Sequence, residues 1–230
     1  MARQARLAVP GHPHHLLIRG NNQQAIFADD EDRQRLLDHL AEALRALPLA
    51  LHAYVLMPNH LHLLATPQTA DTLGRAAQSL GRRYVGYFNA RHRRSGTLWE
   101  GRYRAHVVGG VDEVLRCMRF IESNPQRNGL VHSLFEPAWS SLPHHLGALR
   151  DPLITEPAAY WQLGNTPFER EAAYKAWMEQ GVGFNEAKRI VAALVGGRPL
   201  GSAAYVAELE QLTARSLTPR PRGRPRKAPL

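Results

Sequence analysis

The sequence predicts an α+β fold built on an antiparallel sheet, and three observations support this prediction. Runs rich in apolar and β-branched residues, typical of strands, occupy positions 14–19, 49–57 and 60–66. Two longer segments, near 29–47 and 73–88, place apolar residues at helical spacing. Turn residues separate these segments, and with a further short strand the predicted order is strand, helix, strand, strand, helix, strand.

The first strand and the first helix follow from local signals. His14 to Arg19 has strand composition and is followed by the turn signal Gly20-Asn21-Asn22. Acidic residues at 29–32 mark a helix start, because carboxylates interact favourably with the amino-terminal end of a helix. The apolar stripe of this helix consists of Leu36, Leu40, Leu44 and Leu47, and Pro48 ends it.

A hairpin follows, and it carries the most informative residues of the chain. Residues 49–57 and 60–66 are predicted to be strands joined by a tight Pro58-Asn59 turn. Side chains alternate between the two faces of a strand, so His60 and His62 point to the same side and are able to bind one metal ion. The alternative is a pair of packed or exposed imidazoles with no metal.

A second helix, a fourth strand and a third helix complete this part of the chain. The apolar face of the second helix consists of Leu73, Ala76, Ala77, Leu80, Tyr84, Tyr87 and Phe88. A short strand is predicted near 103–108, and a helix runs from about Val111 towards Pro125. Phe120 and Asn124 are four residues apart and share a face. The order is that of the ferredoxin-like (βαββαβ) arrangement, with both helices on one face of the sheet and the other face free for a ligand.

Composition changes beyond Asp151. We therefore predict a first domain at 1–150, a helical module at 151–213 and a disordered basic tail at 214–230. The module contains three predicted short helices, at 168–180, 185–195 and 202–213. The last two form either a helix-turn-helix-like, DNA-binding-like unit or an ordinary helical pair that caps the domain.

Composition favours a globular protein of a reducing compartment. A chain of 230 residues with 44% hydrophobic content can bury a substantial core. The single Cys117 excludes an intramolecular disulfide and a multi-cysteine zinc site. Because the start lacks a signal-peptide core and no stretch has the length of a membrane span, we expect a cytoplasmic protein with no membrane contact.

Positive charge is concentrated in two segments. The net charge of +9 suggests a polyanionic partner, and between Arg75 and His106 eight arginines face a single acid, Glu100. The arginines expected to contact nucleic-acid phosphates there are Arg82, Arg83, Arg91, Arg93, Arg94, Arg102 and Arg104. In the tail they are Arg222, Arg224 and Arg226, in a segment suited to an extended arm in a minor groove. A solvated basic face without a partner is the alternative.

Several aromatic and histidine residues allow two interpretations. Trp99, Tyr103 and Trp139 are candidates either for stacking on unpaired bases or for core packing. The imidazole pairs His14-His15 and His144-His145 are expected to be surface or packing residues.

Four ordered blocks of the sequence resemble a known family. They are YVLMPNHLHLL from Tyr54, GTLWEGRY from Gly96, FIESNP from Phe120 and WSS from Trp139. In this order they resemble the blocks of REP-associated tyrosine transposases, which are single-tyrosine members of the HUH (His-hydrophobic-His) nuclease superfamily. The resemblance spans roughly residues 6–145.

The resemblance implies a metal-dependent single-stranded DNA endonuclease and strand transferase. The implied fold is the ferredoxin-like sheet with an added nucleophile-bearing helix, and His60, His62 and Asn124 are implied to bind Mg²⁺ or Mn²⁺. A divalent ion held by three protein groups keeps positions open for the scissile phosphate. In such enzymes a tyrosine one helical turn before the asparagine attacks phosphorus and forms a 5′-phosphotyrosine.

At the nucleophile position the chain departs from the family pattern, because it has Phe120 there. Phenylalanine keeps the ring but lacks the hydroxyl, so covalent attack cannot occur from this position. Three explanations are open: a deliberate Tyr→Phe change, a naturally inactive homologue that only binds DNA, or recruitment of another tyrosine, with Tyr103 or Tyr84 as candidates.

The implied substrate is single-stranded DNA beside short hairpins, the repetitive extragenic palindromes (REP), which suggests a nucleoid-associated protein. Both a monomer and a dimer are compatible with the resemblance, and a monomer is favoured. A non-catalytic DNA- or RNA-binding protein with structural histidines is the alternative function. A hydrolase of small phosphoesters is disfavoured by the concentrated arginines and the basic tail.

Overall fold

A four-stranded antiparallel sheet organises the chain in the computed structural model, which describes residues 6–136 and 138–218. The strands are β1 (His14–Arg19), β2 (Leu49–Met57), β3 (His60–Pro67) and β4 (Arg104–Val107), and their spatial order is β2-β3-β1-β4. β1 is therefore central, pairing antiparallel with β3 and with β4. With the helices that connect the strands this is the ferredoxin-like arrangement, so the predicted fold class is confirmed.

Thirteen elements lie in the described part of the chain besides one short 3₁₀ turn at Asn21–Gln23. The helices are α1 (Asp30–Ala46), α2 (Thr72–Arg91), α3 (Val111–Glu122), α4 (Asn124–Arg127), α5 (Leu142–His145), α6 (Ala158–Trp161), α7 (Pro167–Glu179), α8 (Phe184–Gly196) and α9 (Ala203–Thr213). The predicted strands and longer helices all occur within a few residues of their expected bounds. The four-residue helices α4, α5 and α6 were not predicted.

One face of the sheet is buried under α1 and α2. Leu16, Leu61 and Leu63 point to this side and pack against Leu36 and Leu80 of the two helices. The start of α1 is fixed by its cap, since the Asp29 side chain accepts a hydrogen bond from the Asp32 backbone. Burial of these alternate apolar residues fixes the strand register and therefore decides which residues face the other side.

The other face of the sheet is covered as well, which corrects the expectation that it lies free. Ala53, Val55, Met57 and Leu64 point to this side and form a second core with α3. An apolar sheet face exposed to water would cost too much free energy, so a helix must cover it. The histidines of β3 consequently lie between the sheet and α3.

The C-terminal helices extend this second core. Tyr160, Tyr174, Met178 and Ile190 pack with residues of α3 in one buried cluster. The linker after α8 also joins the sheet edge, because the Leu200 backbone N–H donates to the Val107 carbonyl at 2.8 Å. This packing of α8, and the packing of Leu209 of α9 in one buried cluster with Val107 of β4, are what the capping alternative predicts. The domain division at residues 150 and 213 stays a prediction.

Within the described residues, no helix combines the length and the hydropathy that crossing a membrane requires.

Candidate metal centre

His60 and His62 lie on the same face of β3, as strand alternation predicts. Their ring centroids are 5.1 Å apart, and the rings are nearly perpendicular. His60 is the first residue of β3 and pairs with Met57 across the hairpin turn. The turn therefore places His60 at the rim of the sheet and His62 one step further inside.

Each of the two rings is held by a hydrogen bond at Nδ1. His60 Nδ1 lies 2.6 Å from Oδ1 of Asn59 in the turn, and His62 Nδ1 lies 2.8 Å from Nε2 of His15 on β1. No hydrogen bond among the described residues uses Nε2 of either ring. Metal-binding histidines usually have this arrangement, with one nitrogen fixed by a neighbour and the other left for the ion.

Burial keeps both imidazoles neutral. Removal of His60 from water lowers its pKa to about 4, with a smaller contribution from Arg19. Burial also lowers the pKa of His62 well below its ordinary value, and His60 and Arg127 act in the same direction. Only a neutral imidazole has a free lone pair for a metal ion, so the pair is in its ligating form at pH 7.

Phe120 of α3 closes one side of this site. Its ring centroid lies 5.9 Å from that of His62 and at the same distance from that of His15, in both cases edge to face. The Arg127 guanidinium lies over the Phe120 ring at 4.1 Å and donates a hydrogen bond to the Phe120 carbonyl. The structure thus brings Phe120, at the predicted nucleophile position, together with His62 of the histidine pair.

Asn124 is buried at the start of α4, one turn beyond Phe120. Its side-chain oxygen accepts a hydrogen bond from the Asn128 amide, which also donates to the Asn124 carbonyl at 2.9 Å. These contacts orient the Asn124 amide but do not join it to the histidines. Its predicted role as a third ligand therefore stays a prediction.

The donors present fit a divalent ion. Two neutral imidazoles with unbonded Nε2 atoms offer nitrogen ligands, and the oriented Asn124 amide offers an oxygen. Imidazole with amide oxygen is a borderline-to-hard set that suits first-row divalent metals and leaves coordination positions open.

α3 is anchored by a buried polar cluster that the sequence did not reveal. The carboxylate of Glu122 accepts hydrogen bonds from Ser141, from His145 Nδ1 at 2.7 Å and from the Tyr174 hydroxyl at 2.6 Å. Because buried polar groups are costly unless paired, these bonds fix the end of α3 against α5 and α7. Phe120, two residues earlier, is positioned by the same anchor.

A second group of possible ligands lies deeper under α3. His15, His106 and Cys117 are all fully buried, and one ligand atom from each lies within 4.8 Å of the others. Sequence reasoning assigned His15 to surface or packing, and for His15 the surface alternative is wrong. The available signal was that His15 directly precedes the apolar run Leu16-Leu17-Ile18 of a predicted strand.

The arginines between 75 and 106 divide into paired and exposed ones. Arg91 bonds to Asp29, Glu31 and Asp32, and Arg83 is paired with Glu42. These contacts argue against the predicted phosphate-binding role of Arg91, because three carboxylates already compensate its charge. Arg94 bonds to Gln24 and stacks on Phe88, while Arg104 lies 3.5 Å from Glu100.

Arg82, Arg93 and Arg102 are exposed and form no ion pair with another residue that the structure describes. Arg82 and Arg102 line a cavity of about 550 Å³ together with Trp99 and Tyr103. The tail residues Arg222, Arg224 and Arg226 lie outside the described residues.

The three candidate aromatic residues are partly buried. Trp99 packs against the core under α2 and donates to the Gly81 carbonyl at 3.3 Å. Tyr103 packs beneath the Arg6 guanidinium, and Trp139 donates to Asp30 at 3.0 Å. Trp99 and Tyr103 also line the cavity. Each of these two side chains can therefore pack in the core and still contact a ligand.

A ferredoxin-like sheet with two neutral histidines facing a covering helix defines a candidate metal-binding protein. The family model described as IS200-like transposase matches residues 8–124, which is half of the chain and includes His60, His62, Phe120 and Asn124. The chain therefore belongs to the IS200-like transposase family and is a DNA-processing transposase by family.

Two solved structures are similar to the chain. A REP-associated tyrosine transposase bound to a REP hairpin is 16% identical, with a TM-score of 0.56 over 69% of this chain and 96% of that chain. A putative transposase from Deinococcus radiodurans R1 is 24% identical, with a TM-score of 0.37 over 49% of this chain and 90% of that chain. Among curated proteins, none matches the sequence. The family model thus confirms that the chain is an IS200-like transposase, and the REP-associated structure, at 16% identity, confirms the fold alone.

Proposed function

We propose that this chain binds a divalent ion and single-stranded DNA beside a REP-type hairpin, and that it does not cleave this DNA through residue 120. The observation that carries the proposal is the contact of Phe120 with His62, whose Nε2 atom is free for a metal. His60, His62 and Asn124 would hold Mg²⁺ or Mn²⁺. When bound, the ion would polarise the scissile phosphate and stabilise the leaving oxygen.

The geometry around Phe120 explains what a tyrosine would do there. A tyrosine hydroxyl would attack phosphorus, the bond to the 3′ oxygen would break, and the protein would keep a 5′-phosphotyrosine. The Arg127 guanidinium over the ring would favour the deprotonated phenol electrostatically. Phe120 supplies the ring without the oxygen, so DNA would be bound and retained uncut.

The two candidate replacement tyrosines do not support recruitment. The Tyr84 hydroxyl donates to the Ile26 carbonyl at 2.5 Å and is fully buried on the other face of the sheet. Tyr103 packs beneath Arg6 beside the cavity of Trp99, away from α3. These placements favour a binding-only homologue over an enzyme with a relocated nucleophile.

The DNA partner is proposed from charge and from family. The REP-associated tyrosine transposase of similar fold is bound to a REP hairpin, and this chain exposes Arg82 and Arg102 around a cavity with aromatic walls. Arginine forks pair with phosphates, and aromatic rings stack on unpaired bases. Residues 1–150 would carry this activity, and 151–213 with the tail would add DNA contacts.

The test restores the missing hydroxyl. We expect Phe120→Tyr to form a covalent adduct with a palindrome-flanked single strand in Mn²⁺, visible as a shifted band on a denaturing gel and abolished by EDTA. The double variant Phe120→Tyr/His60→Ala is the matched control and should form no adduct. The absence of an adduct on every palindrome-flanked substrate tried would show that the catalytic assignment is wrong.

The alternative is a non-catalytic DNA- or RNA-binding protein with structural histidines. It predicts that neither Mn²⁺ nor His60→Ala changes anything except stability. Isothermal titration of the unaltered chain with Mn²⁺ distinguishes the two, since the proposed centre binds one ion and His60→Ala abolishes this binding.

A further inference from the structure

Three buried histidines form a line across the sheet beneath α3. His62 on β3, His15 on β1 and His106 on β4 belong to three neighbouring strands, and His15 is directly paired with His106. His62 Nδ1 lies 2.8 Å from His15 Nε2, and His15 Nδ1 lies 3.1 Å from His106 Nε2. The exposed fractions of the side chains are 5%, 0% and 0% for His62, His15 and His106, so water does not compete for these bonds.

The metal-binding role of His62 fixes the direction of both hydrogen bonds. A neutral imidazole carries one N–H, so a lone pair at His62 Nε2 requires the proton on Nδ1. His62 then donates to His15 Nε2, which places the proton of His15 on Nδ1. His15 in turn donates to His106 Nε2, and every ring in the line has a defined tautomer.

We infer that His15 is a positioning residue for the metal ligand His62, and that His106 holds His15 in the required tautomer. The inference rests on the proposed metal site. His15 accepts the Nδ1 proton of His62, which orients the ring and presents Nε2 to the ion. His106 accepts from His15 and prevents its ring from flipping, a rotation that would place a second N–H against His62.

The hydrogen bonds that link His62, His15 and His106 also argue against a second metal ion bound by His15, His106 and Cys117. In that cluster the Cys117 sulfur lies 3.9 Å from His15 Nδ1. The same nitrogen cannot donate a proton to His106 and a lone pair to a metal ion. A thiolate ligand would also be required, and burial raises the pKa of the Cys117 thiol. His15 and His106 are therefore assigned to support of the first site, and Cys117 to packing in the second core.

The line of histidines ends at His106. His106 Nδ1 is buried and has no hydrogen-bond partner among the described residues. If His15 donates to His106, this nitrogen carries an N–H that has no acceptor among the described residues. Such a buried unpaired group costs free energy, which the two bonds of His15 offset.

The first test compares buried histidines inside and outside the line. His15→Leu removes the acceptor for His62, and we expect this variant to bind Mn²⁺ about 10- to 100-fold more weakly than the unaltered chain, measured by isothermal titration. His15→Gln keeps an amide acceptor and should recover part of this loss. The matched control is His14→Gln, because His14 is equally buried but bonds to Val9 and His12 instead.

The outcomes separate this inference from the function on which it rests. If His60→Ala abolishes Mn²⁺ binding while His15→Leu binds as tightly as the unaltered chain, the positioning role is wrong and the proposed metal site stands. If His60→Ala leaves Mn²⁺ binding unchanged, the metal site itself is wrong.

A second measurement needs no variant and decides the matter if His15→Leu does not fold. Long-range ¹H–¹⁵N spectra of the metal-free protein should show the Nδ1–H tautomer for both His62 and His15. An Nε2–H tautomer at His15 would overturn the inference. Zinc titration adds an independent check, since a second bound equivalent that is lost in Cys117→Ser would also overturn it.

Discussion

At the candidate centre each histidine ring uses its two nitrogens for different purposes. Nδ1 of His60 and of His62 is committed to a protein partner, Asn59 and His15 respectively, while Nε2 stays unbonded among the described residues. A ring fixed in this way loses little entropy on binding an ion. The turn residue Asn59 therefore has two functions, because it shapes the hairpin and orients the ring of His60, the first proposed ligand.

The role of Asn124 can be decided by replacing its amide. Asn124→Ala removes the proposed oxygen ligand, and we expect Mn²⁺ to bind at least about 10-fold more weakly, while Asn124→Asp binds more tightly because a carboxylate adds charge. Isothermal titration measures both constants. An unchanged affinity in Asn124→Ala would exclude this residue as a ligand and leave the histidine pair intact.

The buried histidines also predict how stability depends on pH. Burial lowers the pKa of His14 to about 4 and that of His106 to about 3, whereas the unfolded chain has the ordinary value near 6.5. The unfolded state therefore binds more protons below pH 6.5, and acid favours unfolding. We expect the free energy of unfolding of the metal-free protein to fall from pH 7 to pH 5 by about 2 kcal/mol for each residue.

Urea unfolding at pH 7, 6 and 5 measures this dependence. His14→Gln removes one titrating group and should reduce the change between pH 7 and pH 5 by about 2 kcal/mol. The pKa of Asp29 is lowered to about 2, so its titration affects stability only below pH 5 and does not contribute to the change between pH 7 and pH 5. A stability that is constant from pH 7 to pH 5 would contradict the argument.

The sequence predicted part of this site and not the rest, for a physical reason. Alternation along one strand places His60 and His62 on one face, which is a local property. The bonds of His15 to His62 and to His106 depend on pairing between strands 47 and 91 residues apart in the chain. Such contacts follow from tertiary structure, so a single sequence without its fold does not indicate them.

Among the helices and strands, those in which apolar residues recur at a regular spacing were predicted, and the four-residue helices were not. β2, β3 and α2 contain enough alternating or helical positions to reveal their period. α4 and α5 have four residues each and contain Pro125 and Pro143 near their starts. A single helical turn is too short for apolar residues to recur at helical spacing. Its only sequence signal is a proline near the start, and loops contain proline as well.

The carboxyl end of α2 is tied to the amino end of α1 by one buried acid. Asp32 has no exposed side-chain surface and accepts hydrogen bonds from the Ala28 backbone, from Arg91 and from His92. The Arg91 that the sequence assigned to DNA is thus used to join two helices. Because the segment from 75 to 106 is rich in arginine, charge density alone did not distinguish structural from exposed arginines.

This junction predicts a large loss of stability in one variant. Asp32→Ala removes the buried acceptor of the Ala28 backbone, of Arg91 and of His92, and we expect the free energy of unfolding to drop by about 3 kcal/mol. Asp38→Ala is the matched control on the same helix, because its contact with Arg35 is half exposed and contributes at most about 1 kcal/mol. Thermal unfolding followed by circular dichroism measures both, and equal effects would contradict the buried role of Asp32.

At the scale of the whole molecule, the sheet is covered on both faces. The sequence predicted α1 and α2 on one side and an open surface on the other, since the strand pattern does not identify what covers a face. Val55, Met57 and Leu64 need an apolar neighbour, and α3 supplies it through Val114 and Met118. The candidate centre therefore lies between the sheet and α3, with the partly buried His60 at the rim, and not on a flat open surface.

At the scale of the whole molecule, the distribution of positive charge predicts which arginines contact DNA. Of the arginines between 75 and 106, Arg82 and Arg102 are exposed beside the cavity, while Arg91 is compensated by acids. Each arginine that contacts a phosphate of single-stranded DNA should contribute about 0.7 to the slope of log affinity against log salt. We therefore expect Arg82→Ala and Arg102→Ala each to weaken hairpin binding at low salt and to reduce this slope by about 0.7.

The matched control is Arg45→Ala, because Arg45 is exposed at the end of α1 and does not line the cavity. Its removal changes net charge by the same amount, so it should lower affinity only slightly and leave the slope nearly unchanged. Fluorescence anisotropy with a labelled hairpin at several salt concentrations measures both quantities. Equal slopes in all three variants would show that DNA responds to net charge alone, and the cavity would then not be the strand-binding surface.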